Sequence, residues 1–287
     1  MLAALLIWVQ STAPAAATEP AAPSALEELV AAAQTLVAAP NYRFEYVARL
    51  KRSSLASDSS ASDPAASDPA AGDPAASDPG AADAVPRERS DASFTVAFEA
   101  GQPLHFVGVT REFFRSDERF AIPHPRSGKW FAIDREHGDL SQSPRGRGES
   151  AQMLEQADAV VPPHLLLADL AAKVSDVQVE TRNGERIFSA TLTDAGLAPW
   201  CRGLEELDRT GKATPKPGTE KLKFGARRGT LTVIVSGGAI REASARITLP
   251  IGRTRNAFEI ERACHLTDHG KTTVTVPAEV RSVLQLE

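Results

Sequence analysis

The chain has 287 residues, 42% of them apolar, and a net charge of −5. Six aspartates (Asp58, Asp63, Asp68, Asp73, Asp78 and Asp83) lie in one stretch with no basic residue between Leu55 and Val85, so the remainder is almost neutral. That balance gives no basis for polyanion binding or for an acidic whole-domain field, and the apolar content is sufficient for a buried core.

Residues 1–17 read as a signal peptide. Leu2–Val9 is a short apolar run, and Ala15 and Ala17 fit an A-x-A cleavage pattern, although no Lys or Arg precedes the run. Eight apolar residues are too few for a bilayer span of about 20 residues. The predicted location is therefore outside the cytoplasm, in a periplasm or at a cell surface.

A capping box, Ser24 with Glu27, opens the next element. Leu26, Leu29, Val30, Ala33, Leu36 and Val37 then share one helical face, and Pro40 ends the helix. At Asn41 the period changes to two. Tyr42, Phe44, Tyr46, Ala48 and Leu50 alternate with Arg43, Glu45, Arg49 and Lys51, the pattern of a half-buried strand. Residues 55–90 carry the repeat Ser-Asp-Pro-Ala-Ala, without an aromatic residue, and read as a disordered insert in a single domain made of 18–54 and 91–287.

Strands are predicted at Ser93–Ala100, Leu104–Phe114, Arg119–Ile122 and Lys129–Asp134, with 138–150 a loop. A short apolar helix follows at 162–170, then a hairpin of Val174–Glu180 and Arg186–Thr193 across Asn183-Gly184. Pro199–Leu207 is predicted as a helix that carries Trp200 and Cys201 inward, and 208–228 as a polar, basic loop. A second hairpin, Thr230–Val235 with Ala239–Leu249 across Gly237-Gly238, precedes closing strands at Phe258–Leu266 and Thr272–Val276. Nine or ten strands joined mostly by hairpins, with few short helices, predict a mainly β (α+β) fold: an antiparallel sheet with helices on one side.

The helix Ala25–Val37 leading into Tyr42-Arg-Phe-Glu-Tyr, Trp130-Phe-Ala-Ile-Asp, the Pro-Pro-x-Leu-Leu run near 162, and the tail from Leu266 through Asp-His-Gly to a Pro-terminated strand and Ala278–Leu284 occur in one order. In that order they resemble the LolA/LolB-like lipoprotein carriers and the related LppX/LprG-like lipid-transfer lipoproteins, over most of 25–286. The acidic insert, the basic loop and the lack of a cysteine after the apolar run depart from that pattern. The resemblance implies a curved, incomplete barrel with helices over an apolar concave face, binding a lipid or other hydrophobic molecule. An open, curved sheet with too few covering helices leaves such a face on physical grounds as well.

The predicted cavity lining is Leu29, Leu36, Tyr42, Phe44, Tyr46, Phe94, Phe98, Phe106 and Trp130; the alternative is that these residues form only a solid core. Cys201 and Cys264 are predicted to pair as a disulfide, against the alternative of two buried thiols. No Gly-x-Ser-x-Gly elbow is present. Cys264, His265 and His269 are of ligand type, but successive side chains on a strand alternate faces, and a structural zinc needs four ligands. No catalytic residue, metal or cofactor is predicted, and the chain is predicted to be a monomer.

Lys212, Lys216, Lys221, Lys223, Arg227 and Arg228 form a basic stretch with Phe224 alone among them. Stacking recognition of nucleic acid is not indicated; contact with anionic lipid head groups or an envelope protein is the alternative to a solvated loop. The function predicted is therefore a non-catalytic exported carrier, against an envelope scaffold protein that binds another protein.

Overall fold

The computed structural model describes residues 23–54, 89–108, 112–124, 126–134, 149–202, 227–250 and 256–286. The predicted signal peptide and nearly all of the insert and the basic loop fall outside these residues. Helix α1 (Ala25–Val37) forms as read, and both hydrogen bonds of the Ser24–Glu27 capping box are made. Among the described residues are eleven strands: β1 (Asn41–Ser54), β2 (Arg89–Glu99), β3 (Leu104–Val107), β4 (Glu112–Arg115), β5 (Arg119–Pro123), β6 (Trp130–Asp134), β7 (Val174–Arg182), β8 (Glu185–Leu192), β9 (Arg228–Ser236), β10 (Ala239–Pro250) and β11 (Asn256–Thr267).

All eleven belong to one antiparallel sheet, in the order β6-β5-β4-β3-β2-β1-β11-β10-β9-β8-β7. The strands form two meanders, β1 to β6 and β7 to β11, joined where the first strand pairs with the last, with Phe44 opposite Leu266 and Tyr46 opposite Cys264. The sheet is open, with β6 and β7 as its edges. The chain passes from one edge to the other through three short helices, α2 (Glu149–Asp158), α3 (Pro163–Leu167) and α4 (Leu170–Lys173). Two further helices among the described residues are α5 (Asp194–Trp200) and α6 (Ala278–Leu284).

Laid flat, eleven strands would span roughly 48 Å, far wider than a helix of about 10 Å. Yet Phe120 and Ile122 of β5, Phe188 and Ala190 of β8, and Leu29, Ala33 and Leu36 of α1 share one buried apolar cluster. The sheet therefore wraps toward its helices, as an open half-barrel does. Alternation fixes the two faces: Tyr42, Phe44 and Tyr46 point inward while Arg43 and Glu45 are exposed.

The structure corrects the sequence reading in several places. The single strand expected over Leu104–Phe114 is two strands, β3 and β4, paired with Phe106 opposite Phe113. The antiparallel pairing puts a reversal between Val107 and Glu112, within the span read as one strand. Helix α2 begins at Glu149, within a segment read as loop. The helix expected over 162–170 is broken, because Asp169 adopts a left-handed backbone (φ 52°) between α3 and α4. Of the helix expected at Pro199–Leu207, residues 203–207 lie outside the described residues; the described part is the end of a helix that begins earlier, α5, where Thr193 Oγ1 accepts from the Gly196 N–H six residues before Pro199.

Thr272–Val276 is not a strand. It crosses the outer face of the sheet, and its backbone is held by side chains: Thr272 N–H donates to Asn41 Oδ1 (3.2 Å) and Val274 N–H to Glu99 Oε2 (2.7 Å). Val274, Val276, Val280 and Leu284 then pack on Ala97, Phe114 and Ala121, a second cluster on the convex side.

Candidate functional site

Among the described residues the concave face carries the larger of two apolar clusters under helices, the other being the small convex one beneath α6. Strand β1 supplies Tyr42, Phe44 and Tyr46, β2 supplies Phe94 and Phe98, β3 supplies Phe106, and α1 lays Leu29 and Leu36 over them; all eight belong to or pack against one cluster. The rings interlock, with Phe106 stacked on Phe113 at 4.7 Å, Phe94 edge-on to Phe106 at 5.8 Å and Tyr42 beside Phe98 at 5.0 Å. Leu29, Tyr42, Phe44 and Phe106 expose 0% of their surface, so water does not reach them.

Trp130 stands apart. It alternates with Phe131 on the edge strand and packs on Phe114 (5.6 Å) in the convex cluster. Phe113 and Phe120, which the sequence reading did not single out, take inward places instead. In Phe113-Phe114 and Trp130-Phe131 both neighbours are apolar, so the pattern alone does not say which faces in.

Cys201 and Cys264 are not joined by a disulfide. Both are buried, at 2% and 0% exposure, and burial pushes the Cys264 thiol up to about 12. The three ligand-type residues of that region diverge: Cys264 points into the core, His265 Nδ1 lies 3.2 Å from Glu242 Oε2, and His269 Nε2 lies 3.0 Å from the Ile240 carbonyl oxygen. Among the described residues no group of three or more His, Cys, Asp or Glu is placed to hold a metal ion, and no helix is long and apolar enough to cross a membrane.

Polar contacts fasten the helices to the half-barrel. Arg115, inward on β4 and only 7% exposed, donates through Nη1 to the Ala157 carbonyl and, at 3.3 Å, to that of Asp158, the last turn of α2; its guanidinium also lies 5.3 Å from the Phe106 ring centroid. A cation at a helix C-terminus is favourably placed in the helix dipole. Arg186 of β8 pairs with Glu28 in the first turn of α1. Lys173 Nζ donates to the carbonyls of Leu165 and Leu166, each at 3.2 Å, which caps α3.

Helix α3 is held by His164. Its backbone N–H donates to Tyr42 Oη (3.3 Å), which leaves the phenol proton for His164 Nδ1 at 2.5 Å; the imidazole ring also lies 4.3 Å from that of Phe98. Burial pushes the Tyr42 phenol well above its ordinary range and holds the His164 imidazole below its own.

The sign of the pH effect follows. An unfolded His164 takes up a proton near pH 6.5, whereas the folded one resists it to lower pH. Between those two values the unfolded chain binds more protons, so stability falls as pH drops below about 6.5 and levels off above it. His105 is shifted the same way by burial, against the pull of Glu112. Thermal melts at pH 7.5 and pH 5.0 should show a smaller acid-induced drop in Tm for His164→Gln than for the parent, with His105→Gln as the second member of the comparison. An unchanged drop in His164→Gln rules out the α3 contact as the source.

No family model matches the chain, and no curated protein matches it. Among solved structures, it is similar to the LolA superfamily protein NE2245 from Nitrosomonas europaea at 8% identity, over 90% of this chain and 97% of that one, with a TM-score of 0.25. It is also similar to the Saccharomyces cerevisiae core factor at 5% identity, over 67% of this chain and 30% of that one, with a TM-score of 0.14. Superpositions this loose establish no shared fold.

Proposed function

We propose that the chain is a non-catalytic carrier for a lipid or another molecule with a long apolar part, exported to the cell envelope. The observation that supports this reading is the way the mouth of the half-barrel is covered. A largely apolar concave face, interrupted by Arg115 and Arg262, lies under α1 and the short helices of the edge-to-edge connection, which are held by apolar packing and a few polar contacts. Helices held in this way can lift when Arg115, Tyr42 and Arg186 release them. Burial of an apolar chain would then drive binding at about 25 cal/mol per Å² of apolar surface, before the cost of association. The interlocked, water-free packing of Leu29, Phe44 and Phe106 is read as the closed, ligand-free state. Export is supported by the Leu2–Val9 run and the Ala-x-Ala that follows it.

The same dry packing favours a second reading, a scaffold whose core never opens and whose surface binds another envelope protein. Native mass spectrometry of the full chain after mild extraction separates the two. The carrier reading expects an adduct of lipid mass that dissociates on collisional activation. A bare mass, together with no uptake of any long-chain amphiphile by the purified protein, supports the scaffold.

A further inference from the structure

The inward face of β11 reads Phe258, Ile260, Arg262, Cys264 and Leu266, so one arginine interrupts an otherwise apolar row. Arg262 is 5% exposed. Register places it opposite Ala48 of β1 and Ala245 of β10, and diagonal to Tyr46, which lies opposite Cys264. Diagonal neighbours on one face of adjacent strands are within reach of long side chains. The Arg262 charge does act on the Tyr46 phenol: burial pushes that phenol up to about 12, and the nearby guanidinium partly opposes the shift.

The bonding is incomplete. Arg262 Nη2 donates to the Arg202 carbonyl at 2.8 Å, just beyond α5, but Arg262 Nε has no partner among the described residues. The Tyr46 hydroxyl, 2% exposed as a residue, has none either. Among the described residues no carboxylate pairs with Arg262, whereas Arg186 has Glu28 and Arg241 has Glu185. Two buried donors without acceptors and a buried cation without a counter-charge are each costly in a folded protein. A single group answers all three needs: an oxygen bearing negative charge. An ammonium head would be repelled, and a neutral hydroxyl would leave the charge uncompensated.

We infer that Tyr46 and Arg262 form an anchoring site for an anionic oxygen head group, a carboxylate or a phosphate, carried on an apolar chain that lies along Phe44 and its neighbours. This rests on the carrier reading and narrows its ligand to an anionic amphiphile. The Tyr46 O–H and Arg262 Nε–H would donate to the head group while Nη2 keeps its bond to α5.

The test uses the full-length protein, stripped of lipid, titrated calorimetrically with dodecanoate, dodecyl phosphate, dodecanol and dodecyltrimethylammonium below their aggregation concentrations. The anionic ligands should bind roughly 10- to 100-fold more tightly than dodecanol, the range for a charge-assisted hydrogen bond. The stronger of the two anions identifies the head group. Tyr46→Phe removes an orphaned hydroxyl, so it should fold at least as well as the parent while losing about tenfold of the anion preference. Arg262→Met should abolish the preference; because Arg262 also ties α5, Tyr46→Phe keeps the test decisive if that variant fails to fold. Equal affinity for all four heads overturns the anchor and leaves the carrier reading standing. An anion preference that Tyr46→Phe leaves untouched also overturns it. If no dodecyl compound binds, the carrier reading fails and the anchor with it.

Discussion

Phe44→Ala should cost about 3–5 kcal/mol of unfolding free energy, the usual loss when a fully buried phenylalanine is truncated. Phe44 has 0% exposure and lies on the sheet's central strand, opposite Val96 on one side and Leu266 on the other, with the Tyr42 ring 5.9 Å away. It thus sits where the two meanders join, and neighbouring backbone is fixed by ladders on both sides. Little of the vacated space can be recovered by collapse. Urea titration of parent and variant measures the loss. A drop under about 1 kcal/mol would mean that α1 settles into the gap and that the concave face is not rigidly packed. The void should also accept a small apolar guest, since apolar cavities stay dry and bind such molecules. Benzene should therefore raise the Tm of Phe44→Ala in a concentration-dependent way and leave the parent unmoved.

Gly196→Ala should cost about 3 kcal/mol, at the severe end of overpacking, because the obstacle is backbone. A Cβ on Gly196 would lie 2.1 Å from the Lys173 carbonyl oxygen and 3.0 Å from Leu192 Cδ2. That carbonyl is not free to retreat, since it accepts the Thr193 N–H at 2.9 Å. Helix α5 would have to shift, drawing Leu197 and Trp200 from buried sites and straining the Arg262–Arg202 tie. Ala195→Ser, at an exposed position one residue earlier, should change stability by less than about 0.5 kcal/mol. Denaturant midpoints for the pair settle the matter: equal midpoints would show that α5 does not dock at Gly196 as described.

The parts of the fold legible in the sequence are those where several local signals coincide. Helix α1 has a capping box, a clean 3.6-residue period and a proline stop, and β1 follows with strict alternation. The β7–β8 hairpin turns at Asn183-Gly184, where both residues have positive φ (52° and 80°), as a two-residue hairpin of this kind requires. Gly237-Gly238 does the same at 58° and 81°.

What escaped was set by tertiary contacts. Helix α2 shows few inward apolar residues, chiefly Leu154 and Ala157, and its last turn is held by Arg115, which arrives from a strand far away in sequence. The last predicted strand, Thr272–Val276, alternates like one, but Asn41 and Glu99 side chains take the backbone bonds a neighbouring strand would have taken. Seven of the nine proposed lining residues are in the concave cluster itself and Phe98 packs against it; Trp130 is the exception, for want of a polar neighbour to fix its phase. Arg262 left a readable trace, a charge in phase with Ile260 and Cys264. Its significance depends on Tyr46, and that adjacency appears only when the first strand meets the last.

The two unbridged thiols give this architecture a built-in clock. Cys201 and Cys264 lie in the same interior cluster as the proposed lining, and neither offers a bulky reagent a path while the helices rest on the sheet. An alkylating agent reaches them only during excursions that part the helices from the strands. The pace of their modification therefore counts those excursions, and an occupant that wedges the helices open would quicken it, whereas one sealed beneath them would slow it.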